Sequence, residues 1–247
     1  MSNAAAPSIT VTPTLKRVRA FVGDQAVLDT ERAVLLRVAP RPPFYFVPMD
    51  DIARDCFQKT DHVVETPHIG TASYWTVTAG GKTVENAAWA YDDPAEAAAG
   101  IKGYISLEWK AADKWLEEDE EVIVHARNPH TRVDIVGSKR PVKVEIDGVT
   151  LAETTSAKFL FETDKVVRYY LPRADIDMAY LEPSDSYTAC PYKGSAGYFN
   201  VRTPKGMHED LVWYYADPLD ECLKIKDLLC FYNERVDALT VDGKSVL

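Results

Sequence analysis

The octapeptide YFVPMDDI at residues 45–52 returns as YYLPRADI at residues 169–176, an offset of 124 residues. The same offset pairs Pro67 with Pro191, Gly70 with Gly194, Tyr74 with Tyr198, Glu85 with Glu209, Trp89 with Trp213 and Pro94 with Pro218, without a gap. Residues 18–123 set against 142–247 give 23 identities over 106 positions, where about 6 are expected from background residue frequencies. The chain is an internal duplication, and every later reading of the fold depends on that.

Working outward from the repeated octapeptide, each copy opens on a hairpin signal. RVRAFVGDQAVL and VKVEIDGVTLAE place Gly23-Asp24 and Asp147-Gly148 between β-favouring runs, and such pairs supply the positive φ that tight hairpin turns need. AVLLRV and KFLFET, FYFVP and VRYYLP, SYWTV and GYFNV, and ENAAWAY and EDLVWYY then read as short strands rich in aromatic and β-branched residues. Asp93-Pro94 and Asp217-Pro218 fit an N-cap followed by proline at the first helical position, and Leu219, Cys222, Leu223, Leu229 and Cys230 recur at helical spacing. The expected fold is mainly β with α: two tandem β-rich domains, each closed by a C-terminal helix. The boundaries read as a frayed N-terminus at residues 1–16, a first repeat at 17–124, a polar connector at 125–141 and a second repeat at 142–247.

Composition narrows the class of function. A net charge of -10 argues against nucleic acid, because binding phosphate backbones needs clustered Lys and Arg that release counterions. No apolar run approaches the roughly 20 residues of a membrane span, and the start has no basic region followed by an apolar one. The expectation is a soluble, acidic, cytoplasmic protein. Cys56, Cys190, Cys222 and Cys230 form no CxxC pair, so neither metal nor cofactor is expected, and they read as free thiols. Oligomeric state is left open.

The string CPYKGSAGYFNV from Cys190, preceded by LEPSD at residues 181–185 and by YYLPRADI, resembles the family called domain of unknown function 427. In the first copy ENAAWAYDDP, WLEEDEEV and HARNPHTRVDIV are similar to the same family's segments, so the resemblance covers the chain from about residue 16 onward. It implies a β-tent-like domain of bent antiparallel sheets in each repeat, and no established activity. The family has carried a nucleotidyltransferase-like label, but no Gly-Ser followed by an Asp-x-Asp pair on a strand is found, and Asp175-Ile-Asp177 lacks that context.

Candidate site residues come from comparing the copies. Cys190 lies in a Pro/Gly loop three residues before Lys193, where an ammonium would favour the nucleophilic thiolate. The first copy has Thr66 there, and a packed, inert thiol is the competing reading. Lys193 replaces Ile69, Tyr192 replaces His68 and Arg173 replaces Met49, so the second copy is the cationic one and could hold an anion. Glu85 and Glu209 stand four residues before Trp89 and Trp213. Positions i and i+4 on a strand point to the same face, so each pair is expected to share one wall, with the carboxylate as a proton carrier beside an indole; a structural glutamate is the plain alternative. His62 and His68 match no metal spacing. The basic His125, Arg127, His130 and Arg132 read as a polar bridge, and Glu117–Glu121 as a solvated helix end.

Two functions follow. The first is a small-molecule binding protein or enzyme that holds an anionic or aromatic metabolite in the second repeat. Its site would comprise Cys190, Glu209 and Lys193 as catalytic groups and Arg173, Tyr192, Tyr198 and Trp213 as ligand-binding groups, echoed by Glu85 and Trp89 in the first copy. The second is a non-catalytic protein-interaction module built on the duplicated domain.

Overall fold

The computed structural model describes residues 7–247. The chain forms two compact units, one up to Pro129 and one from His130 to Leu247. The first contains β1 (Ile9–Pro13), β2 (Val18–Val22), β3 (Gln25–Thr30), β4 (Val34–Val38), β5 (Phe44–Pro48), β6 (Phe57–Thr66), β7 (Gly70–Ala79), β8 (Lys82–Tyr91), β9 (Tyr104–Leu107), β10 (Lys114–Glu117) and β11 (Glu120–Glu121). The second contains β12 (Val133–Gly137), β13 (Val142–Ile146), β14 (Val149–Thr154), β15 (Lys158–Glu162), β16 (Arg168–Leu171), β17 (Leu181–Cys190), β18 (Gly194–Thr203), β19 (Gly206–Tyr214), β20 (Leu229–Phe231), β21 (Ala238–Val241) and β22 (Lys244–Ser245).

Topology repeats with the sequence. Each unit has a seven-stranded sheet, in the order β1-β4-β5-β9-β8-β7-β6 and β12-β15-β16-β20-β19-β18-β17, and a four-stranded sheet, β11-β10-β2-β3 and β14-β13-β21-β22. One face of the larger sheet packs on the smaller: Leu35, Tyr45, Val47, Val77 and Ile105 meet Val18, Ala20 and Trp115 in one core. The opposite face carries the alternate residues Val34, Leu36 and Phe46, packed with Ala98 and Ile101. Burial on both faces explains why these strands read as nearly continuous apolar runs instead of a strict alternation. The second hairpin turns through Asp147 and Gly148 at φ +55° and +81°, the two positive values a type I′ turn requires.

Many of the identities between copies prove to be scaffold. Thr30 Oγ1 donates to Asp51 and Thr154 Oγ1 to Asp175, each at 2.5 Å. Asp113 and Asp237 each accept a backbone N–H of the opening hairpin at 2.6 Å. Gly70 and Gly194 take φ +129° and +99°, and a Cβ there would stand 3.1 and 3.3 Å from the Asp93 and Asp217 carbonyl oxygens.

Four sequence expectations are corrected. Residues 9–13, placed in a frayed N-terminus, form β1 and pair with β4; the expectation for residues 1–6 lies outside the described residues. Residues 133–137, placed in the connector, form β12 and pair with β15. The duplication thus starts at least nine residues earlier in each copy than the identities suggest, with Ile9 and Val11 matching Val133 and Ile135 at the same offset. Neither copy closes on an α-helix. Glu96–Ile101 and Asp220–Ile225 are short 3₁₀ helices, in which the buried pair Cys222 and Ile225 exploits a spacing of three that both helix types share. Lys226 takes φ −52° and ψ 128° and Asp227 takes φ +60°, so the chain leaves the helix and carries Leu229 and Cys230 into β20. Finally, Glu117–Glu121 is a tight β10-β11 hairpin; Glu117 is buried, accepting the Tyr45 hydroxyl and pairing with Lys16, both at 2.6 Å.

Candidate functional site

In the second unit the face of the large sheet turned away from the small one carries a cavity of about 450 Å³. Its floor follows from strand register. Tyr170 pairs with Cys230, Cys230 with Trp213 and Trp213 with Tyr198, across β16, β20, β19 and β18. Directly opposed residues in a sheet point to the same face, so this row lies on one surface, and Tyr215, two residues beyond Trp213, also lines the cavity. Tyr170 is 1 % exposed, and its hydroxyl accepts the Trp213 indole N–H at 3.0 Å. Tyr198 and Thr188 share a hydroxyl hydrogen bond of 2.7 Å. Tyr232 lies 4.5 Å from the Trp213 ring, centroid to centroid.

Two ion pairs are set into this aromatic surface. Lys193 donates to Glu162 at 2.5 Å, and their side chains are only 11 % and 14 % exposed. Burial opposes the charge on Lys193, but the neighbouring Cys190 sulfur and Glu162 carboxylate more than offset it, so the ammonium is held above the ordinary lysine value. The Arg168 guanidinium lies 5.4 Å from the Trp213 ring and 5.7 Å from Tyr232, within cation–π range. It also grips Glu234 through two hydrogen bonds of 2.6 Å. Those bonds hold the Glu234 carboxyl down at about 2. Burial, with the hydrogen-bonding contact to Tyr198 next, pushes the Tyr232 hydroxyl up to about 12. Burial likewise raises Tyr215 far above the tyrosine range. Tyr215 and Tyr232 are therefore neutral hydrogen-bonding groups at physiological pH; the inner charges are the two ion pairs, while the exposed Asp164 and Lys165 also line the cavity.

Of the residues singled out from sequence, Lys193, Tyr198 and Trp213 meet in this cavity, and Trp89 lines a cavity at the matching place in the first unit. Cys190 is half-buried, its sulfur near enough to Lys193 to favour the ammonium, but it is not part of the lining. Tyr192 is half-buried behind the wall, its carbonyl accepting from Cys222 Sγ at 3.3 Å. Arg173 does not stand beside Lys193. Its guanidinium lies 5.0 Å from the Tyr214 ring and 5.3 Å from Phe199, each one residue along from a cavity residue and so on the reverse face.

Glu209 and Glu85 also lie elsewhere, both exposed and outside the linings. The expected shared wall with Trp213 and Trp89 assumed unbroken alternation. Pairing between β18 and β19 shifts between Phe199 and Val201, and Asp210 takes φ +48°. The first unit repeats this with a shift between Trp75 and Val77 and Asn86 at φ +51°. A bulge residue resets the two-residue phase, so the carboxylate four positions back leaves the tryptophan's face. Glu209 instead offers its backbone carbonyl to Arg235 at 2.5 Å.

Residues missed from sequence are Glu162, Arg168, Tyr170, Tyr215 and Tyr232. A signal was available: within apolar strands, the 124-residue offset replaces Val38 with Glu162 and Phe44 with Arg168, alongside Ile69 with Lys193. Three charges entering together at apolar positions, two in strands and one in a turn, mark a wall with a changed task.

The model of the family described as domain of unknown function DUF427 matches the chain twice, over residues 10–118 and 134–242. The chain belongs to the DUF427 family. Its two DUF427 segments each start one residue inside the unit's first strand, β1 or β12, and end just before its last two-residue strand, β11 or β22. No curated protein matches the chain.

Proposed function

We propose that the second DUF427 repeat is a binding site for a small aromatic metabolite that carries an acidic or hydroxyl group. The observation that carries this reading is the convergence of Tyr170, Tyr198, Trp213 and Tyr232 with Arg168 and Lys193 on one cavity of about 450 Å³. That size and that mixture of apolar wall with a few directing polar groups are typical of small-molecule sites. The rings offer stacking and edge contacts to a flat ligand. Glu234, whose side chain is 55 % exposed, can give way to a ligand carboxylate at Arg168, a bidentate exchange that preserves charge balance.

The polar groups assigned to this site are Arg168, Lys193 and Glu162, in place of Arg173 and Glu209. Cys190 acts on it through Lys193.

Melting temperature of the full chain against a panel of aromatic carboxylates, 4-hydroxybenzoate and indole-3-acetate among them, tests the reading. A ligand present at about 100 times its Kd stabilises the repeat by about 2.7 kcal/mol, and the rise should shrink in Arg168→Phe and vanish in Trp213→Leu. The reading fails if no aromatic acid raises the melting temperature, or if both variants keep the full response. An aromatic-rich surface for a protein partner would then be the better account.

A further inference from the structure

The first repeat holds the same cavity with a different chemistry. It encloses about 510 Å³ and is built on the same face and strands. Leu36, Tyr74, Trp89 and Tyr91 stand at the 124-residue offset from Leu160, Tyr198, Trp213 and Tyr215. The positions that bring charge into the second cavity bring Val38, Phe44 and Ile69 into this one. Ile69 is 4 % exposed and Phe46 is fully buried. The charged residues that do line it, Arg41 and Glu108, are exposed.

The rings are arranged as a slot. Phe44 and Phe46 meet Trp89 edge-on, with centroids 5.4 and 6.2 Å away, and Tyr74 lies 6.4 Å from it at a shallow 31°. Thr66, which accepts the Tyr91 hydroxyl at 3.1 Å, Asn86 and the exposed His68 are the uncharged polar groups of the lining.

We infer that the first repeat is a second, independent ligand site, selective for an uncharged aromatic molecule. A flat ring fits the slot by edge and offset contacts with Trp89, Phe44 and Tyr74. A carboxylate pushed against Ile69 and Phe46 would lose its hydration without gaining a partner, a cost no group of the inner wall repays. The inference goes beyond the second-repeat reading and stands or falls without it, because the two cavities share no residue.

Indole and its charged relative indole-3-acetate, titrated into the full ¹⁵N-labelled chain, separate the possibilities. Indole should shift the Trp89 side-chain N–H and the Ile69 amide while leaving the Trp213 N–H in place. Indole-3-acetate should bind there at least about ten-fold more weakly, the penalty for an unpaired buried charge. Phe44→Arg, which installs the second copy's residue at a position already 38 % exposed, should weaken indole by a similar factor without altering the Trp213 environment. Perturbation centred on Trp213, no movement of Trp89 at indole saturation of the solution, or equal binding of the neutral and charged ligands at Trp89 would each overturn the inference. The wild-type map needs no variant to fold.

Discussion

The two cavities share a frame and part company in their walls. At four matched positions the ring or aliphatic side chain persists, Leu36 and Leu160, Tyr74 and Tyr198, Trp89 and Trp213, Tyr91 and Tyr215. At three others, Val38, Phe44 and Ile69 face Glu162, Arg168 and Lys193. The charges arrive balanced: Lys193 comes with Glu162, and Arg168 with Glu234, which stands where the first copy has Lys110. A lone charge in such a wall would be costly, whereas a hydrogen-bonded pair is tolerated. The frame that survives is held by groups remote from the cavities, such as Thr30 with Asp51 and Thr154 with Asp175. Duplicated domains can thus exchange the chemistry of a pocket without disturbing the sheet that bears it.

The sharpest break of this comparison is to split a charge pair. Glu162→Ala leaves the Lys193 ammonium buried and should cost the second unit about 3–5 kcal/mol, while Glu162→Val with Lys193→Ile, the first copy's own pair, should cost under about 1 kcal/mol. Urea unfolding of the second unit measures both; a mild single variant would mean that the pair is not coupled to the fold. Next in size is the shared indole. Trp213 is 7 % exposed and donates to Tyr170, whereas Trp89 is only partly buried. Trp213→Ala should therefore cost about 3 kcal/mol or more and Trp89→Ala distinctly less, by thermal or urea midpoints read per unit.

A smaller effect runs in the opposite direction. Ser106, paired with Trp89 at the position Cys230 holds in the second copy, is 2 % exposed, and its hydroxyl has no hydrogen-bond partner among the described residues. Ser106→Ala removes a buried unsatisfied group and should stabilise the first unit by about 1 kcal/mol, a gain that calorimetry would detect and whose absence would show the hydroxyl to be satisfied in solution. Last comes pH. Arg168 holds Glu234 at about 2, against 4.5 for a free glutamate. This contribution is fully present above 4.5 and is lost as pH falls from there through about 2. With Glu234 half exposed the difference between wild type and Glu234→Gln should be about 0.5 kcal/mol near neutral pH, screened by solvent. It should fade across that acid window, and a pH-independent difference would break the assignment.

Much of the fold was legible from residues alone because a repeat is a comparison the chain makes with itself. The hairpins, the strand pairs and the offset of 124 residues were all readable. What escaped were features whose sequence signal is short or shared. β1 and β12 are five-residue strands with few identities, and the spacing of Cys222 and Ile225 suits a 3₁₀ turn as well as an α-helix. Of the site, Lys193, Tyr198 and Trp213 were found because a contrast or a retained ring singled them out. Arg168 was passed over for Arg173, five residues on, because only the pleat and the path of β16 tell which of the two reaches the cavity face.

The sequence by itself determined that there are two β-rich copies, where their strands run and which positions changed character between them, since all of this is local patterning read against an internal standard. The tertiary structure alone decided which of those positions share a cavity. That depends on strand register and on single residues that reset it: Asp210 at φ +48° and Asn86 at φ +51° turn Glu209 and Glu85 away from the tryptophans they precede. The two-residue period carries a side chain's facing only as far as the next bulge.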